Sequence, residues 1–247
     1  MINNRYSLLD WLRGFAILLM VIYHFCYDLY YFNYIDTMFG KGYWIPFRYV
    51  IVILFLSLVG VSLVLSHNPK LRWRNLIRRS GQLGLAAFFV SVSSYFIAAD
   101  KVTVFGIIHF ILLATFLSLP FISRPKIALV LGVIVFFLGH YVQSQFFDPL
   151  YFHWLGMVET KRPALDYVPV FPWFGIVLIG IFFGHLIQNN NVVQKVFKTN
   201  LAEQFHLPML TIFNSLIERA GQHSLIIYLV HQPILFGLFM AVELLIN

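Results

Sequence analysis

Long runs of apolar residues, separated by shorter polar segments, dominate the chain from one end to the other. Each run reaches the length of about 17–25 residues that a helix needs to cross the hydrocarbon core of a bilayer. Backbone polar groups find no water in that core, so separate segments of this length cross it as α-helices. The runs are 8–31, 44–66, 77–99, 103–122, 126–142, 169–187 and 222–246. The pattern predicts an all-α integral membrane protein, a single bundle of about seven transmembrane helices that forms one domain over residues 1–247.

Composition agrees with a lipid environment. The chain has 247 residues, of which 60% are hydrophobic and 11% charged, and its mean hydropathy is +0.80. A soluble domain carries about 25% charged residues, so this chain lacks the polar surface that water requires. The net charge of +7 is concentrated in a few loops, and no basic patch with interleaved aromatic residues indicates binding to nucleic acid.

The first apolar run is not a cleavable signal peptide. Asp10 and Arg13 interrupt the region that would have to be apolar, and no small-residue cleavage site follows before Tyr27. We therefore expect the first helix to remain in the mature protein.

The one cysteine, Cys26, excludes an intrachain disulfide framework or a cysteine-based metal site.

Basic residues set the predicted orientation, because Lys and Arg are enriched in cytoplasmic loops. With a cytoplasmic N-terminus, the outer loops hold Lys41, Lys101, Lys161 and Arg162, and Arg48 lies near an outer helix end. The inner segments then hold eleven basic residues, namely Arg5, Lys70, Arg72, Arg74, Arg78, Arg79, Arg124, Lys126, Lys195, Lys198 and Arg219. This asymmetry predicts a multi-pass protein with its N-terminus inside and its C-terminus outside.

The segment 188–221 is the longest polar part of the chain and is predicted to be a cytoplasmic loop. Within it, residues 207–219 have an apolar period near 3.6, which is typical of an amphipathic helix. We interpret this helix as lying on the inner membrane surface. If it crossed the membrane instead, the C-terminus would change sides.

The first run contains four ionisable residues, Asp10, Arg13, His24 and Asp28. Ionisable groups within a membrane are costly to bury and are therefore candidates for function. Asp10 and Arg13 are three residues apart, and His24 and Asp28 are four apart, so each pair lies on one helix face. Arg13 and His24 are about three turns, or ~16 Å, apart and point the same way.

An imidazole with a carboxylate one turn away is an oriented base, because the carboxylate fixes the tautomer and stabilises the imidazolium form. Such a base deprotonates a hydroxyl or an amine as it attacks a thioester. His24 is the predicted base and Asp28 its orienting group. Alternatively, Asp10 and Arg13 only neutralise each other, and Asp28 is a solvated carboxylate at the outer end of the helix.

Two further histidines lie within predicted spans, His109 in FGIIHF and His231 in YLVHQP. Each is a candidate substrate contact, and a buried, hydrogen-bonded structural role is the equal alternative. No close metal-ligand spacing such as H-x-x-x-H occurs, so no metal is expected.

Two polar segments near the predicted membrane surfaces are candidates for binding. Asp166 and Trp173 flank a proline-containing entry to the sixth run, where they would line the mouth for an outer acceptor or simply cap and anchor a helix. The basic segment holds Arg72, Arg74, Arg78 and Arg79. These guanidinium groups match the phosphates of a nucleotide-type cofactor, although positive-inside topology alone would also explain them.

Five segments in order carry a family resemblance, namely RYSLLDWLRGFAILLMVIYHFCYDL, LFLSLVGVSL, FGIIHF, DYVPVFPWFGIVLIGIFFG and GQHSLIIYLVHQPIL. Together they resemble the bacterial proteins grouped with the catalytic domain of heparan-alpha-glucosaminide N-acetyltransferase, within a wider transmembrane acyltransferase superfamily. Arg13 and His24 match the R/K-x10-H signature that the O-acyltransferase branch carries in its first helix.

The resemblance implies acetyl-CoA or another acyl-CoA as a cytosolic donor and a saccharide or other small acceptor reached from the opposite face. It implies His24 as the catalytic histidine and Arg13 as its partner near the donor. The lysosomal enzyme has its candidate histidine in the loop after the first helix, whereas loop 32–43 here contains no histidine. That assignment therefore does not transfer.

The sequence and the resemblance together predict an acyl-CoA-dependent transmembrane N- or O-acyltransferase that modifies a glycan or similar acceptor across a bacterial-type cell inner membrane. Direct transfer and an acyl-histidine intermediate both fit, and an oligomer is compatible with the pattern. The alternatives from other classes are a small transporter or flippase, since ionisable residues occur within such membrane domains, and a non-catalytic membrane subunit whose histidines are structural.

Overall fold

The computed structural model describes residues 6–37, 39, 41–67, 70–97, 101–162, 164–199 and 208–246. Among these residues it contains nine α-helices and no strand. The helices are α1 (Ser7–Tyr31), α2 (Trp44–His67), α3 (Trp73–Ile97), α4 (Ile107–Leu117), α5 (Pro125–Tyr141), α6 (Val170–Asn189), α7 (Asn191–Lys198), α8 (Pro208–Gln222) and α9 (Ser224–Ile246). The predicted all-α class is confirmed.

A helix lies at each of the seven apolar runs, but the helices differ in length. Four of them, α1, α2, α6 and α9, are long and apolar enough to cross a membrane. The apolar helices α4 and α5 are shorter, and the first turns of α3 carry Arg74, Arg78 and Arg79. Membrane character is therefore confirmed, while the count of seven spans and the cytoplasmic N-terminus stay predictions.

The helices fall into two compact units. One comprises Met1–Phe55 and Asn191–Asn247, and the other comprises Leu56–Asn190. The first unit therefore contains α1, α7, α8 and α9 with the beginning of α2. The second contains the rest of α2 with α3 to α6.

In the first unit, α1 packs most closely against α8. Gly14 of α1 faces the Ile217 carbonyl, and Gly221 of α8 faces the Asp10 carbonyl, so that a methyl group on either glycine would overlap backbone atoms of the other helix. Small residues allow two helix backbones to approach in this way. The indole Nε1 of Trp11 also donates a 3.0 Å hydrogen bond to Asn214 Oδ1.

The predicted loop 188–221 contains two helices, α7 and α8. Residue 207, where the amphipathic helix was expected to begin, lies outside the described residues, and α8 ends at Gln222. Its buried residues include Asn214 and Ile217, whereas Met209 is 85% exposed. The amphipathic helix is thus present, and its predicted position on the membrane surface stays a prediction.

In the second unit, α5 and α6 pack closely along their small residues. A methyl group on Gly132 of α5 would come within 2.8 Å of the Gly175 carbonyl oxygen of α6. The buried residues of α6 include Val177, Leu178 and Ile181. This pairing forms the main core of the second unit.

We expect Gly14→Ala to destabilise the protein, although alanine is intrinsically the better helix former by about 1 kcal/mol. The added methyl group meets the Ile217 backbone, and overpacking of a close contact costs about 1–3 kcal/mol. Gly237→Ala in α9 is the matched control, because a methyl group there meets no atom of the described residues within 4 Å. The thermal midpoint of the detergent-solubilised protein should fall for Gly14→Ala and stay level or rise for Gly237→Ala. Equal shifts at both positions would contradict this packing.

Candidate active site

Four polar side chains meet where α1 and α9 pack together, and we call them the α1–α9 polar cluster. His24 and Asp28 come from α1, and His231 and Gln232 come from α9. The imidazole rings of His24 and His231 lie 4.9 Å apart between centroids, at an interplanar angle of 62°. One turn further along α1, Gln232 Nε2 lies 2.8 Å from Asp28 Oδ1. The cluster gathers polar groups from two helices that are otherwise rich in apolar residues.

Asp28 has no exposed surface, and its hydrogen bond goes to the Gln232 amide. A carboxylate oxygen only accepts, so the amide group of Gln232 is the donor. This bond leaves Asp28 Oδ2 and Gln232 Oε1 buried, without a hydrogen-bond partner among the described residues. Buried polar atoms normally find partners, so these two oxygens have unused capacity to accept hydrogen bonds.

His231 is 8% exposed, and its tautomer follows from one contact. Its Nδ1 lies 2.7 Å from the Tyr228 carbonyl oxygen. A carbonyl only accepts, so the hydrogen of the neutral ring is on Nδ1 and the lone pair is on Nε2. That Nε2 is buried and has no partner in the part of the chain that the structure describes. His231 therefore holds a buried lone pair that is oriented by the backbone.

Arg13 and Asp10 form an ion pair near the other end of α1. Arg13 Nη1 lies 2.6 Å from Asp10 Oδ1, and the side chains of the two residues are 24% and 8% exposed. This geometry supports mutual neutralisation, one of the two sequence-based interpretations. The part-exposed guanidinium of Arg13 lies eleven residues before His24 on the same helix, and its role toward a donor stays a prediction.

The predicted phosphate-binding arginines lie at the beginning of α3. Arg72 immediately precedes the helix, and Arg74, Arg78 and Arg79 follow in its first two turns. All four side chains are exposed. They are accessible to a soluble anion, and topology alone still explains them equally well.

His109 is held by a hydrogen-bond network within the second unit. Ser91 Oγ lies 2.7 Å from the Thr103 carbonyl oxygen and donates to it, so the His109 Nε2–H donates to Ser91 Oγ over 3.1 Å. The Gly106 amide donates to His109 Nδ1. Both ring nitrogens are therefore used, which supports the structural interpretation of His109.

Asp166 caps α4 from a distant part of the chain. Its Oδ2 accepts a 2.8 Å hydrogen bond from the Ile107 amide, one of the donors that a helix beginning leaves unpaired. Its own amide donates to Thr103 Oγ1. The carboxylate thus joins the loop before α6 to the beginning of α4.

Asp166 also lines a cavity of about 970 Å³ in the second unit. The cavity has four aromatic residues in its wall, Phe105, Tyr151, Trp154 and Tyr167. Its other ionisable residues are His153 and Arg162. Mainly apolar and aromatic walls with a few polar groups are typical of small-molecule sites. Trp173, which we expected beside Asp166, is instead buried in α6 at 4% exposure and is not among the described residues that line the cavity.

Hydrogen bonds fix part of the cavity wall. The Tyr167 hydroxyl donates to the His153 carbonyl oxygen over 2.7 Å, and the Arg162 amide donates to His153 Nε2. Burial raises the pKa of the Tyr167 phenol to about 12. Tyr167 therefore stays a neutral hydroxyl at physiological pH.

Gln232 and most of the cavity wall are not among the residues that the sequence predicts for the site. Gln232 is an uncharged polar residue in an apolar run, next to His231, and that position was an available signal. The cavity aromatics come from the segment YFHWL at 151–155 and from Phe105 and Tyr167. Their density was visible, but their convergence depends on the folding of the loop.

Comparison with known proteins places the chain in a family. Residues 5–233 match the family model described as heparan-alpha-glucosaminide N-acetyltransferase, catalytic. No curated protein and no solved structure matches the chain. The match confirms the resemblance carried by the five sequence segments and, with the apolar helices, implies a membrane acetyltransferase. The chain belongs to the heparan-alpha-glucosaminide N-acetyltransferase catalytic family.

Proposed function

We propose that the protein transfers an acetyl or other acyl group from cytosolic acyl-CoA to an extracytoplasmic glycan-type acceptor. The observation that carries this proposal is the α1–α9 polar cluster, in which two imidazoles lie 4.9 Å apart between centroids. Ionisable groups buried between apolar helices are costly and mark functional sites. The family match supplies the reaction class.

In the proposed reaction, the amine or hydroxyl of the acceptor attacks the carbonyl carbon of the thioester. A new C–N or C–O bond forms, the C–S bond breaks, and the acceptor proton passes to the His24 imidazole. His24 then returns that proton to the CoA thiolate, which leaves as the free thiol. A positioned base of this kind contributes about 10²–10⁴-fold to a rate, and exclusion of water protects the thioester from hydrolysis.

The donor would be held by arginines. Arg13 is part-exposed on α1, and Arg72, Arg74, Arg78 and Arg79 are exposed at the beginning of α3. Guanidinium groups bind phosphate oxygens through bidentate hydrogen bonds, and CoA carries several phosphates. With a cytoplasmic N-terminus, both groups of arginines lie toward the cytosolic side in the predicted topology.

The cavity of the second unit, taken by itself, would be a saccharide-binding site that captures the acceptor. Aromatic faces such as Trp154 suit the apolar face of a sugar ring. Arg162 and Asp166 supply charges that can recognise ionic substituents or hydroxyl groups. The volume of about 970 Å³ is at the upper end of the range of about 300–1,000 Å³ for small-molecule sites, which is roomy enough for a small oligosaccharide.

We expect His24→Gln to lower acyl transfer by about 10²–10⁴-fold, since the substitution removes the base and keeps a polar side chain. The measurement is CoA release from acetyl-CoA by the purified protein in lipid, with amino sugars supplied as acceptors. His223→Gln is the matched control, because His223 is exposed and precedes α9 outside the cluster. Equal rates for wild type and His24→Gln would remove His24 from the chemistry.

We expect Trp154→Ala to raise KM for the acceptor about fivefold and to leave KM for acetyl-CoA unchanged, because lost stacking costs about 1 kcal/mol. Asp166→Asn removes the charge of Asp166 from the cavity wall and keeps its cap on α4, since asparagine caps a helix about as well as aspartate. Initial-rate kinetics with each substrate varied in turn provide the measurement. If both variants changed only KM for acetyl-CoA, the cavity would not be the acceptor site.

A further inference from the structure

We infer that His231 is a second catalytic base, whose Nε2 takes a proton from an acceptor that arrives as an ammonium ion. The inference rests on the proposed function and deepens it. It makes the α1–α9 polar cluster a two-base site, with His24 and His231 handling different protons.

The first support is the chemistry of the unpartnered atoms. Among the described residues, the cluster leaves Asp28 Oδ2, Gln232 Oε1 and His231 Nε2 buried without hydrogen-bond partners. The contacts of their own groups make them lone-pair acceptors when Asp28 is a carboxylate and His231 is neutral. A set of acceptors is satisfied by a ligand rich in donors, and an ammonium group brings three N–H donors and a positive charge.

The second support is the number of protons. Aliphatic amines with pKa values near or above neutrality are largely protonated at physiological pH. Such an ammonium ion must lose one proton before its nitrogen can attack, and a second as the amide forms. A hydroxyl acceptor would lose only one. Two imidazoles side by side match the amine case.

The proposed reaction steps balance atoms and charge. His231 Nε2 takes the first proton and leaves a neutral amine. The amine nitrogen bonds to the acyl carbon, the C–S bond breaks, and the second proton passes through His24 to the CoA thiolate. His231 then releases the first proton to water, so that an ammonium ion and acyl-CoA yield an amide, free CoA and one proton.

The orientation of His231 supports its role as the base that takes the first proton. The hydrogen bond from Nδ1 to the Tyr228 carbonyl keeps the lone pair on Nε2, which is the arrangement a base requires. Among the described residues, the titratable groups around His231 in the cluster include His24 and Asp28 on α1 and Tyr228 on α9. A carboxylate at Asp28 offsets the positive charge that the histidines acquire in turn.

The test compares pH profiles of kcat/KM for glucosamine with saturating acetyl-CoA, for wild type, His231→Gln, His24→Gln and His223→Gln. Below the pKa of the amine, His231→Gln should lose about tenfold per pH unit relative to wild type, because it uses only the free amine, up to a loss of about 10²-fold. Above that pKa the free amine is supplied by the solution, and the variant should recover to within a few-fold of wild type. His24→Gln should stay impaired at every pH, and His223→Gln should follow wild type.

The outcomes separate the two proposals. A loss in His231→Gln that does not depend on pH, or no loss, would overturn the role of His231 while leaving acyl transfer intact. No turnover by wild type with amino sugars or with sugars that offer only hydroxyl groups would overturn the proposed function, and the role of His231 with it. Turnover with hydroxyl acceptors alone would overturn the role of His231 while leaving acyl transfer intact.

A measurement on the wild type covers the case in which His231→Gln does not fold. If His231 deprotonates a bound ammonium ion, kcat/KM for the amine should stay level as pH falls below the pKa of the amine. A wild-type profile that instead falls in proportion to the free-amine fraction would overturn the inference.

Discussion

Polar atoms within an apolar helix bundle must find partners, because neither lipid nor apolar side chains can replace water. Several ionisable side chains of the described chain satisfy this constraint with partners from the protein itself. Asp10 neutralises Arg13, Asp166 accepts from the beginning of α4, and His109 uses both ring nitrogens. The α1–α9 polar cluster departs from it, because three buried atoms without partners lie on its own residues. The other three such atoms of the described chain, His67 Nε2, Ser80 Oγ and Ser118 Oγ, occur singly on α2, on α3 and at the end of α4.

Much of the fold could be predicted from sequence because apolar runs encode helices directly. The run at 8–31 became α1, and the run at 169–187 became α6. The same reasoning overestimated the run at 103–122, where the helix covers only Ile107–Leu117. There Thr103 and Gly106 are used in loop and cap hydrogen bonds, which hydrophobicity alone does not reveal.

The candidate site was predictable only where its residues share a helix. Helical periodicity placed His24 and Asp28 on one face. Periodicity carries no information on which helix packs against that face, so Gln232 as the partner of Asp28 and His231 as the neighbour of His24 needed the structure. The cavity around Trp154 depends in the same way on a loop whose turns and short 3₁₀ helix have no long-range periodic signal.

The backbone contact at Gly14 has a consequence for the direction in which α1 presents its side chains. A helix turns about 100° per residue, so the azimuth of every side chain on a straight helix is fixed once one position is fixed. Gly14 lies against the backbone of α8 with no room for even a methyl group. That contact therefore fixes the rotation of α1 about its own axis. The direction in which His24, ten residues after Gly14, points toward α9 is thus set by a residue that has no side chain.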